Sequence, residues 1–255
     1  MDRLERERLF HDRQAQDRAA SFISRPDELL VDDDVYLGHE TWIRPAFQRL
    51  GNLQNARVLD YGCGHGMAGV VLARLGAEVT GFDLSGGYVR EARERARANG
   101  VTIRHVQADG ERLPFPDQYF DRAWGNAILH HLRLPIAGRE LWRVLRPGGV
   151  AVFCEPWGEN PFLNFARSHL PYRGKERTHD EQPLRGWQVR ELQSIFPDLE
   201  IRGHQFLSMV RRVLPAPRLN ACLERCDRMV LSRVPALERY CRYVVLTMQP
   251  TAQSS

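Results

Sequence analysis

A short apolar strand followed by a glycine-rich turn stands between Val58 and Gly66, and this combination can bind a polar ligand through the backbone. The run reads Val-Leu-Asp-Tyr-Gly-Cys-Gly-His-Gly, so that Gly62, Gly64 and Gly66 alternate with other residues. Glycines allow positive φ angles and let a ligand approach the N–H groups at the start of the next helix. Met67 occupies the position of the third glycine in a dinucleotide-binding fingerprint, which argues against a nicotinamide or flavin cofactor.

Two acidic residues stand at the ends of the next two predicted strands. Asp83 lies about twenty residues beyond the turn, where a carboxylate can accept both hydroxyl groups of a ribose. Asp109 ends the third strand in the run Gln-Ala-Asp-Gly. Because the carboxyl ends of parallel strands meet at one edge of an open sheet, these positions predict a pocket for a nucleoside.

Together with several later runs, this pattern resembles the class I S-adenosylmethionine-dependent methyltransferases that act on small molecules. The resemblance is close over residues 50–155 and beyond them covers only the order of the elements. The runs that carry it are Val58–Ser85, Ala108-Asp109, Leu113-Pro114-Phe115, Phe120-Asp121, Ala127–Leu132 and Leu145–Gly149. It implies S-adenosyl-L-methionine as the methyl donor and an α/β fold: a doubly wound, seven-stranded, mostly parallel sheet whose last strand is antiparallel.

The resemblance also implies how each matching position would hold this cofactor. Asp60 would orient the amino group of the methionine moiety, Asp83 would hold the ribose hydroxyls, and Asp109 would accept from the exocyclic amine of adenine. The remaining implied contacts are Gly62, Cys63, Gly64 and Gly66 in the turn, Leu84 on adenine, Ala108 and Gly110 beside Asp109, and the backbone of Asn126.

Two residues near the mouth of this pocket are candidates for a general base. His131 matches a frequent histidine of the family, and a histidine, which titrates at about pH 6.5, can take a proton from a hydroxyl or an amine. Its alternative role is a structural hydrogen bond between loop and helix. Glu155, at the end of the fifth strand, is the second candidate. Methyl transfer depends mainly on in-line positioning, so a base is needed only by some acceptors, and we predict no metal.

Hydrophobic patterning predicts the elements that position these residues. From Arg57 onward, short apolar strands alternate with longer helices, which is typical of a parallel sheet covered on both faces. Helices are predicted at 1–22 and 39–50, with residues 24–27 and 32–34 as loop. Strands are predicted at 57–61, 78–82, 102–107, 119–127, 150–154, 199–207 and 240–248. Residues 1–50 would form a helical cap or lid, and residues 51–255 the methyltransferase domain, with insertions at about 157–185 and 208–239.

Composition limits the partners and the compartment. The 36 Lys and Arg residues against 32 Asp and Glu residues give a net charge of +4, and charges of both signs are interleaved. We therefore expect no nucleic-acid partner. The five cysteines lack zinc spacing, and neither a signal peptide nor an apolar run of about 18 residues occurs. The predicted location is cytoplasmic.

The acceptor is the part that the sequence leaves open. Residues 209–237, with arginines among apolar side chains, would form a helical cap, a homodimer contact or a surface for an anionic membrane, and prolines within them disfavour the membrane. We predict O-methylation of a small metabolite in a biosynthetic or tailoring pathway. The alternatives are N- or C-methylation of a lipid, isoprenoid or quinone-like acceptor, and cofactor binding without catalysis.

Overall fold

The structure, a computed structural model, describes residues 3–169, 182–212, 214 and 216–250. Within them one sheet has the order β3-β2-β1-β4-β5-β7-β6, and β7 runs antiparallel to both of its neighbours. Its strands are β1 Arg57–Tyr61, β2 Glu78–Asp83, β3 Arg104–Gln107, β4 Phe120–Asn126, β5 Leu145–Pro156, β6 Glu200–His204 and β7 Tyr243–Met248. The predicted fold class, a doubly wound and mostly parallel sheet of seven strands, is confirmed.

Helices cover the sheet and extend beyond its carboxyl edge. They are α1 Arg3–Ser24, α2 Asp33–Gly38, α3 Ile43–Arg49, α4 Met67–Arg74, α5 Gly86–Ala98, α6 Leu134–Val144, α7 Pro161–His169, α8 Gly186–Gln193 and α9 Pro217–Arg233. Short 3-10 helices lie at Pro26–Leu29, Leu129–His131, Ser208–Arg212 and Pro235–Tyr240. No helix among the described residues is long and apolar enough to cross a membrane.

The core lies on both faces of the sheet because successive strand residues point to opposite sides. On β1, Leu59 and Tyr61 belong to one buried cluster, whereas Val58 belongs to the other, together with Trp42 and Leu50 from the N-terminal region. Residues of the predicted cap therefore contribute to the main core. The cap and domain boundary at residue 50 stays a prediction.

Several predicted bounds differ from the structure: the helix predicted at 39–50 is Ile43–Arg49, and the strand predicted at 199–207 is Glu200–His204. Two further differences lie at residues 33–34 and 145–149. Residues 33–34, predicted as loop, begin α2, because the Asp32 side chain caps the helix by accepting from Val35 N at 3.0 Å. The strand predicted at 150–154 already begins at Leu145. The run Arg-Pro-Gly-Gly, which predicts a turn, lies inside β5, where Gly148 takes a φ of +73° and the register with β4 shifts between Phe120 and Arg122.

The contact between β4 and β5 requires a glycine at position 125. A Cβ atom on Gly125 would lie 2.3 Å from Cε1 of Phe153, a ring with no exposed surface. We therefore expect Gly125→Ala to lower the free energy of unfolding by about 2 kcal/mol, since overpacking a filled core displaces side chains.

Urea unfolding would measure this effect, with Gly38→Ala as the matched control. A Cβ on Gly38 meets no atom within 4 Å, so this variant should unfold like the wild type. Equal stability of the Gly125→Ala protein and the wild type would contradict the tight β4–β5 contact.

Candidate active site

A cavity of about 220 Å³ lies at the carboxyl ends of β1 to β4. Its walls come from the turn after β1, from the loops after β2, β3 and β4, and from one side of α1. The predicted site residues that line it are Gly62, Gly64, Asp83, Leu84, Ala108, Asp109, Gly110, Asn126 and His131. The structure thus brings together residues that the sequence distributes over four strand ends.

The glycine turn is pressed between the loop after β4 and helix α5. Gly62 and Gly66 have φ angles of +66° and +83°. A Cβ on Gly62 would lie 2.6 Å from Cγ1 of Ile128, and one on Gly66 would lie 2.7 Å from Cβ of Ala92. Gly64, with a φ of +50°, differs because a Cβ there would meet no atom within 4 Å. The backbone is thus the wall of the cavity at this point.

Asp83 ties the turn to the beginning of α5. Its Oδ2 atom accepts from Gly64 N at 3.0 Å, and its Oδ1 atom accepts from Ser85 N at 2.9 Å. Burial raises the pKa of this carboxyl group, although the two backbone hydrogen bonds act in the opposite direction. Each oxygen keeps a further lone pair for a hydroxyl group of a ligand.

The loop after β3 is held in place by backbone contacts. Ala108 N donates to the carbonyl of Asp83 at 3.0 Å, and the hydroxyl of Tyr61 donates to the carbonyl of Gly110 at 2.6 Å. Asp109 Oδ1 accepts from Glu111 N at 2.8 Å. Asp109 therefore stands at a fixed position on the wall next to Asp83, because β2 and β3 are neighbours in the sheet.

Three predicted cofactor residues lie behind the turn rather than on the cavity wall. Asp60 is 2% exposed, and its Oδ2 atom has no hydrogen-bond partner among the described residues. Burial raises its pKa to about 7. Cys63 is also buried, which raises the pKa of its thiol well above the usual value. Gly66 faces α5, as described above. These residues shape the turn instead of touching the cavity.

Glu155, the second predicted base, is fully buried and does not line the cavity. Its Oε1 atom accepts from Ile128 N at 2.9 Å and from Leu129 N at 2.8 Å, while Oε2 lies 2.6 Å from Nδ1 of His130. Both oxygens are therefore used to hold the loop after β4. This contact gives Glu155 a positioning role and leaves His131 as the predicted base that reaches the cavity.

Helix α1 supplies a wall of the cavity that sequence reasoning did not assign. Leu4, Glu7 and His11 line it, and their spacing of three and four residues places them on one face of a helix. That periodicity is the signal that could have grouped them. Tyr88 is a further wall residue that lies outside the motif runs, and its contribution follows only from the tertiary structure.

Polar contacts fasten α1 to α5. Asp12 Oδ1 accepts from Ser85 Oγ at 2.6 Å and from Gly87 N at 2.8 Å. Arg18 forms an ion pair with Glu91 at 3.0 Å. Ala15 is the buried apolar residue of α1 within the part of the helix whose side chains are described. The attachment of α1 thus depends more on charge and hydrogen bonds than on apolar burial.

We expect Asp12→Ala to loosen α1, because the variant loses both hydrogen bonds to the beginning of α5. At about 1 kcal/mol for such a contact, amide hydrogen exchange in α1 should become roughly five- to tenfold faster. Asp17→Ala is the matched control, since Asp17 is an exposed aspartate on the same helix. Identical exchange in the Asp12→Ala protein and the wild type would contradict this anchoring.

The described residues hold no group of three His, Cys, Asp or Glu side chains arranged to bind a metal ion. The insertion predicted at 157–185 contains α7, and residues 170–181 lie outside the described residues. The segment predicted at 208–239 forms two 3-10 helices and α9. These parts follow strands β5 and β6.

The family match covers the strands whose carboxyl ends surround the cavity. A family model described as a methyltransferase domain matches residues 59–153, from β1 into β5. Malonyl-[acyl-carrier protein] O-methyltransferase of Enterobacter lignolyticus is 42% identical over 137 residues, which are 53% of this chain and 49% of that protein. Fatty-acid O-methyltransferase of Mycolicibacterium smegmatis is 32% identical over 170 residues, 65% of this chain and 57% of that protein.

Among solved structures, the geranyl diphosphate C-methyltransferase of Streptomyces coelicolor A3(2) has a TM-score of 0.53 at 18% identity. The match covers 82% of this chain and 78% of that one, and it shows a shared fold. The chain spans about half the length of the curated relatives it matches. The family match begins after α1, so the cavity residues Leu4, Glu7 and His11 lie outside it.

Proposed function

We propose that the chain, whose residues 59–153 match a methyltransferase domain, is a class I S-adenosylmethionine-dependent methyltransferase and that it methylates an oxygen atom of a small-molecule acceptor. We further propose a biosynthetic or tailoring pathway as its setting, in keeping with the acyl and fatty-acid O-methyltransferases that it resembles. The observation that carries the proposal is the cavity in which Gly64, Asp83 and Asp109 face the same space.

The residues present fit S-adenosylmethionine. A nucleoside needs acceptors for its ribose hydroxyls and its adenine amine, and Asp83 and Asp109 offer both at adjacent strand ends. The side-chain-free wall at Gly64 provides room beside the turn. Leu84, Ala108 and Gly110 would surround the adenine, and Gly62 with the backbone of Asn126 would meet the methionine end.

The bound cofactor would supply a methyl group already activated on a sulfonium sulfur. The protein's own contribution is then to orient the acceptor, exclude water and remove a proton where the acceptor carries one. His131 lines the cavity and would remove that proton. Asp60, Cys63 and Gly66 would act by shaping the turn, and Glu155 by holding the loop that carries His131.

The acceptor would enter from the side of α1 and the loop after β4. Leu4, Ile128 and Leu132 give this part of the wall an apolar character. Its polar groups are Glu7, His11 and His131. A site of this kind suits a small molecule with an apolar body and one hydroxyl or acidic group, because a few polar groups fix orientation in a largely apolar pocket.

The first test is a calorimetric titration of the purified protein with S-adenosylmethionine and, separately, with S-adenosylhomocysteine. We expect a micromolar dissociation constant, about −8 kcal/mol, for at least one of them. NAD⁺ is the control ligand, since Met67 interrupts the dinucleotide fingerprint. Absence of binding by a folded protein would overturn the proposal.

The second test is transfer of radiolabelled methyl from S-adenosylmethionine to a panel of hydroxy, carboxy, amino and isoprenoid compounds. Mass spectrometry of the products should show O-methylated species. Product methylated on nitrogen or carbon would overturn the choice of oxygen. Cofactor binding without transfer to any member of the panel would favour a binding protein that does not catalyse.

A further inference from the structure

Helix α1 brings a carboxylate to the predicted base. We propose that Glu7 is a positioning residue for His131, and that the two form a carboxylate–imidazole pair that is complete only when α1 lies over the cavity. The inference rests on the proposed function, because it gives that site a base. Nothing in the motifs between residues 59 and 153 points to it, since Glu7 lies outside the family match.

The geometry of the pair is specific to the two side chains. Glu7 Oε1 lies 3.7 Å from His131 Nδ1, and the side chains are 13% and 11% exposed. This is a carboxylate–imidazole contact, longer than a hydrogen bond, of the kind that often shortens when a site is filled by its ligand. The low exposure matters because attraction between charge and ring is stronger away from water.

Arg3 fixes both partners in place. Its guanidinium donates to the backbone carbonyl of His131 and to a carboxylate oxygen of Glu111, and it lies 3.9 Å from Glu7 Oε1. Glu111 also forms an ion pair with Arg133, two residues beyond His131. The first turn of α1 is therefore joined to the His131 loop from two sides, and Glu7 is held where it faces the ring.

The rings of two other histidines lie close to His131, but each has its Nδ1 atom next to a residue other than Glu7. The His130 ring centroid is 4.2 Å from that of His131, but its Nδ1 atom meets the buried carboxylate of Glu155. The His11 ring centroid is 6.0 Å from that of His131, and its Nδ1 atom lies 3.2 Å from Oε1 of Gln14. Glu7 is the carboxylate of α1 that faces His131 in the described structure.

The pair has a defined chemical use. With the ring proton on Nδ1 directed at Glu7, Nε2 of His131 is the nitrogen that can accept a proton. In the reaction, the acceptor oxygen forms a bond to the methyl carbon, and the bond from that carbon to sulfur breaks with its electron pair left on sulfur. The hydroxyl proton passes to Nε2, and the charge of Glu7 stabilises the imidazolium that forms.

The test compares Glu7→Gln with Glu7→Asp and with the control Glu5→Gln, an exposed glutamate on the same helix that does not line the cavity. Nitrogen-15 spectra of histidine-labelled protein, free and with S-adenosylhomocysteine added, report which ring nitrogen of His131 carries the proton. We expect the Nδ1 form in the wild type and in Glu5→Gln, a shift towards the Nε2 form in Glu7→Gln, and retention of the Nδ1 form in Glu7→Asp.

Activity gives a second readout with the hydroxyl acceptors found in the panel. Glu7→Gln should lower kcat by about tenfold or more while KM stays within about twofold, and Glu7→Asp should recover part of the rate. Hydrogen exchange in α1 should stay at the wild-type rate, because Glu7→Gln leaves the Asp12 anchor intact. A loosened α1 would mean a structural role for Glu7 and would overturn the pair.

An unchanged His131 tautomer in Glu7→Gln would also overturn the inference, whatever the cofactor affinity. Failure of the wild type to bind S-adenosylhomocysteine is a different result, because it removes the proposed function. The two failures are distinguishable since the tautomer is measured in the free protein as well. An unchanged tautomer together with normal cofactor binding would leave the methyltransferase proposal standing without Glu7.

Discussion

Replacing Asp60 by Asn is expected to raise the free energy of unfolding at pH 8 and to lower it by about 1 kcal/mol at pH 4. Burial, together with the nearby charge of Asp83, raises the pKa of Asp60 from an ordinary value of 3.8 to about 7. Between these two values the folded protein keeps a proton that the unfolded chain has released. The stability of the wild type should therefore fall as the pH rises from about 4 to about 7.

The size of this loss of stability follows from the difference between the two pKa values of Asp60. Each pH unit costs roughly 1.4 kcal/mol, so the buried carboxylate lowers stability by about 4 kcal/mol above pH 7. Burying the amide of Asn without a full set of partners offsets about 1–2 kcal/mol of the gain. A net stabilisation of about 2–3 kcal/mol at pH 8 is the expected result. Towards pH 4 it should turn into a destabilisation of about 1 kcal/mol, because there mainly the cost of the buried amide remains.

Urea unfolding of the wild type and Asp60→Asn at several pH values between 4 and 8 would measure it. Asp117→Asn is the matched control, because Asp117 is an exposed carboxylate whose side chain is 72% accessible. The difference between each variant and the wild type isolates one carboxyl group. If the free energies of unfolding of the wild type and Asp60→Asn changed with pH in the same way, burial would not raise the pKa of Asp60.

The same variant tests the position of Asp60 in the site. The family resemblance implies a contact with the methionine moiety, whereas the structure places the side chain behind the turn. A residue that only shapes the turn should leave the affinity for S-adenosylhomocysteine within about threefold when it is replaced by its isostere. A loss of tenfold or more, roughly 1.4 kcal/mol, would restore the direct contact.

The part of the site formed by the glycine turn, Asp83 and Asp109 could be predicted from the sequence because it depends on local structure. The glycine turn and Asp83 belong to a strand, a turn and a helix that are contiguous in the chain. Asp109 follows from the next strand in the same way. In a parallel sheet, all such strand ends meet at one edge, so correct local assignments were sufficient to group these residues.

The part of the site formed by α1 could not be predicted because it depends on contacts between residues far apart in the chain. Helical spacing groups Glu7 with His11 but does not say which strand end their face covers. The docking of α1 on α5 through Asp12 and Ser85, together with the contacts of Arg3, brings them to His131. Pattern alone carries no information on that docking, since polar surface helices with the same spacing are common.

Glu155 illustrates a different difficulty. A carboxylate at the end of a strand over a site is a reasonable base from its position in the chain. The role of Glu155 depends on the backbone of the loop after β4. There Ala127 has a φ of +57°, and the N–H groups of Ile128 and Leu129 both donate to Oε1 of Glu155. Residue types give no indication of this loop geometry, so a structural anchor and a general base look alike in sequence.

Removing the Asp83 carboxylate should have the largest effect on the affinity for the proposed cofactor. Asp83→Ala takes away the acceptor for the ribose hydroxyls, and it also releases the backbone of Gly64 and Ser85 from their shared anchor. Losing hydrogen bonds to a charged acceptor costs about 1.5–3 kcal/mol. We expect the dissociation constant for S-adenosylhomocysteine to rise by about 10- to 100-fold.

Calorimetry at pH 7.5 would measure the change, with Asp117→Ala as a control for loss of a surface aspartate. Asp83→Asn separates the two contributions, because the amide keeps an oxygen for one backbone N–H group but loses the charge. An affinity between those of wild type and Asp83→Ala is expected for it. A folded Asp83→Ala protein that binds S-adenosylhomocysteine as tightly as the wild type would show that the ribose lies elsewhere in the cavity. The glycine turn and Asp109 would then have to account for binding without Asp83.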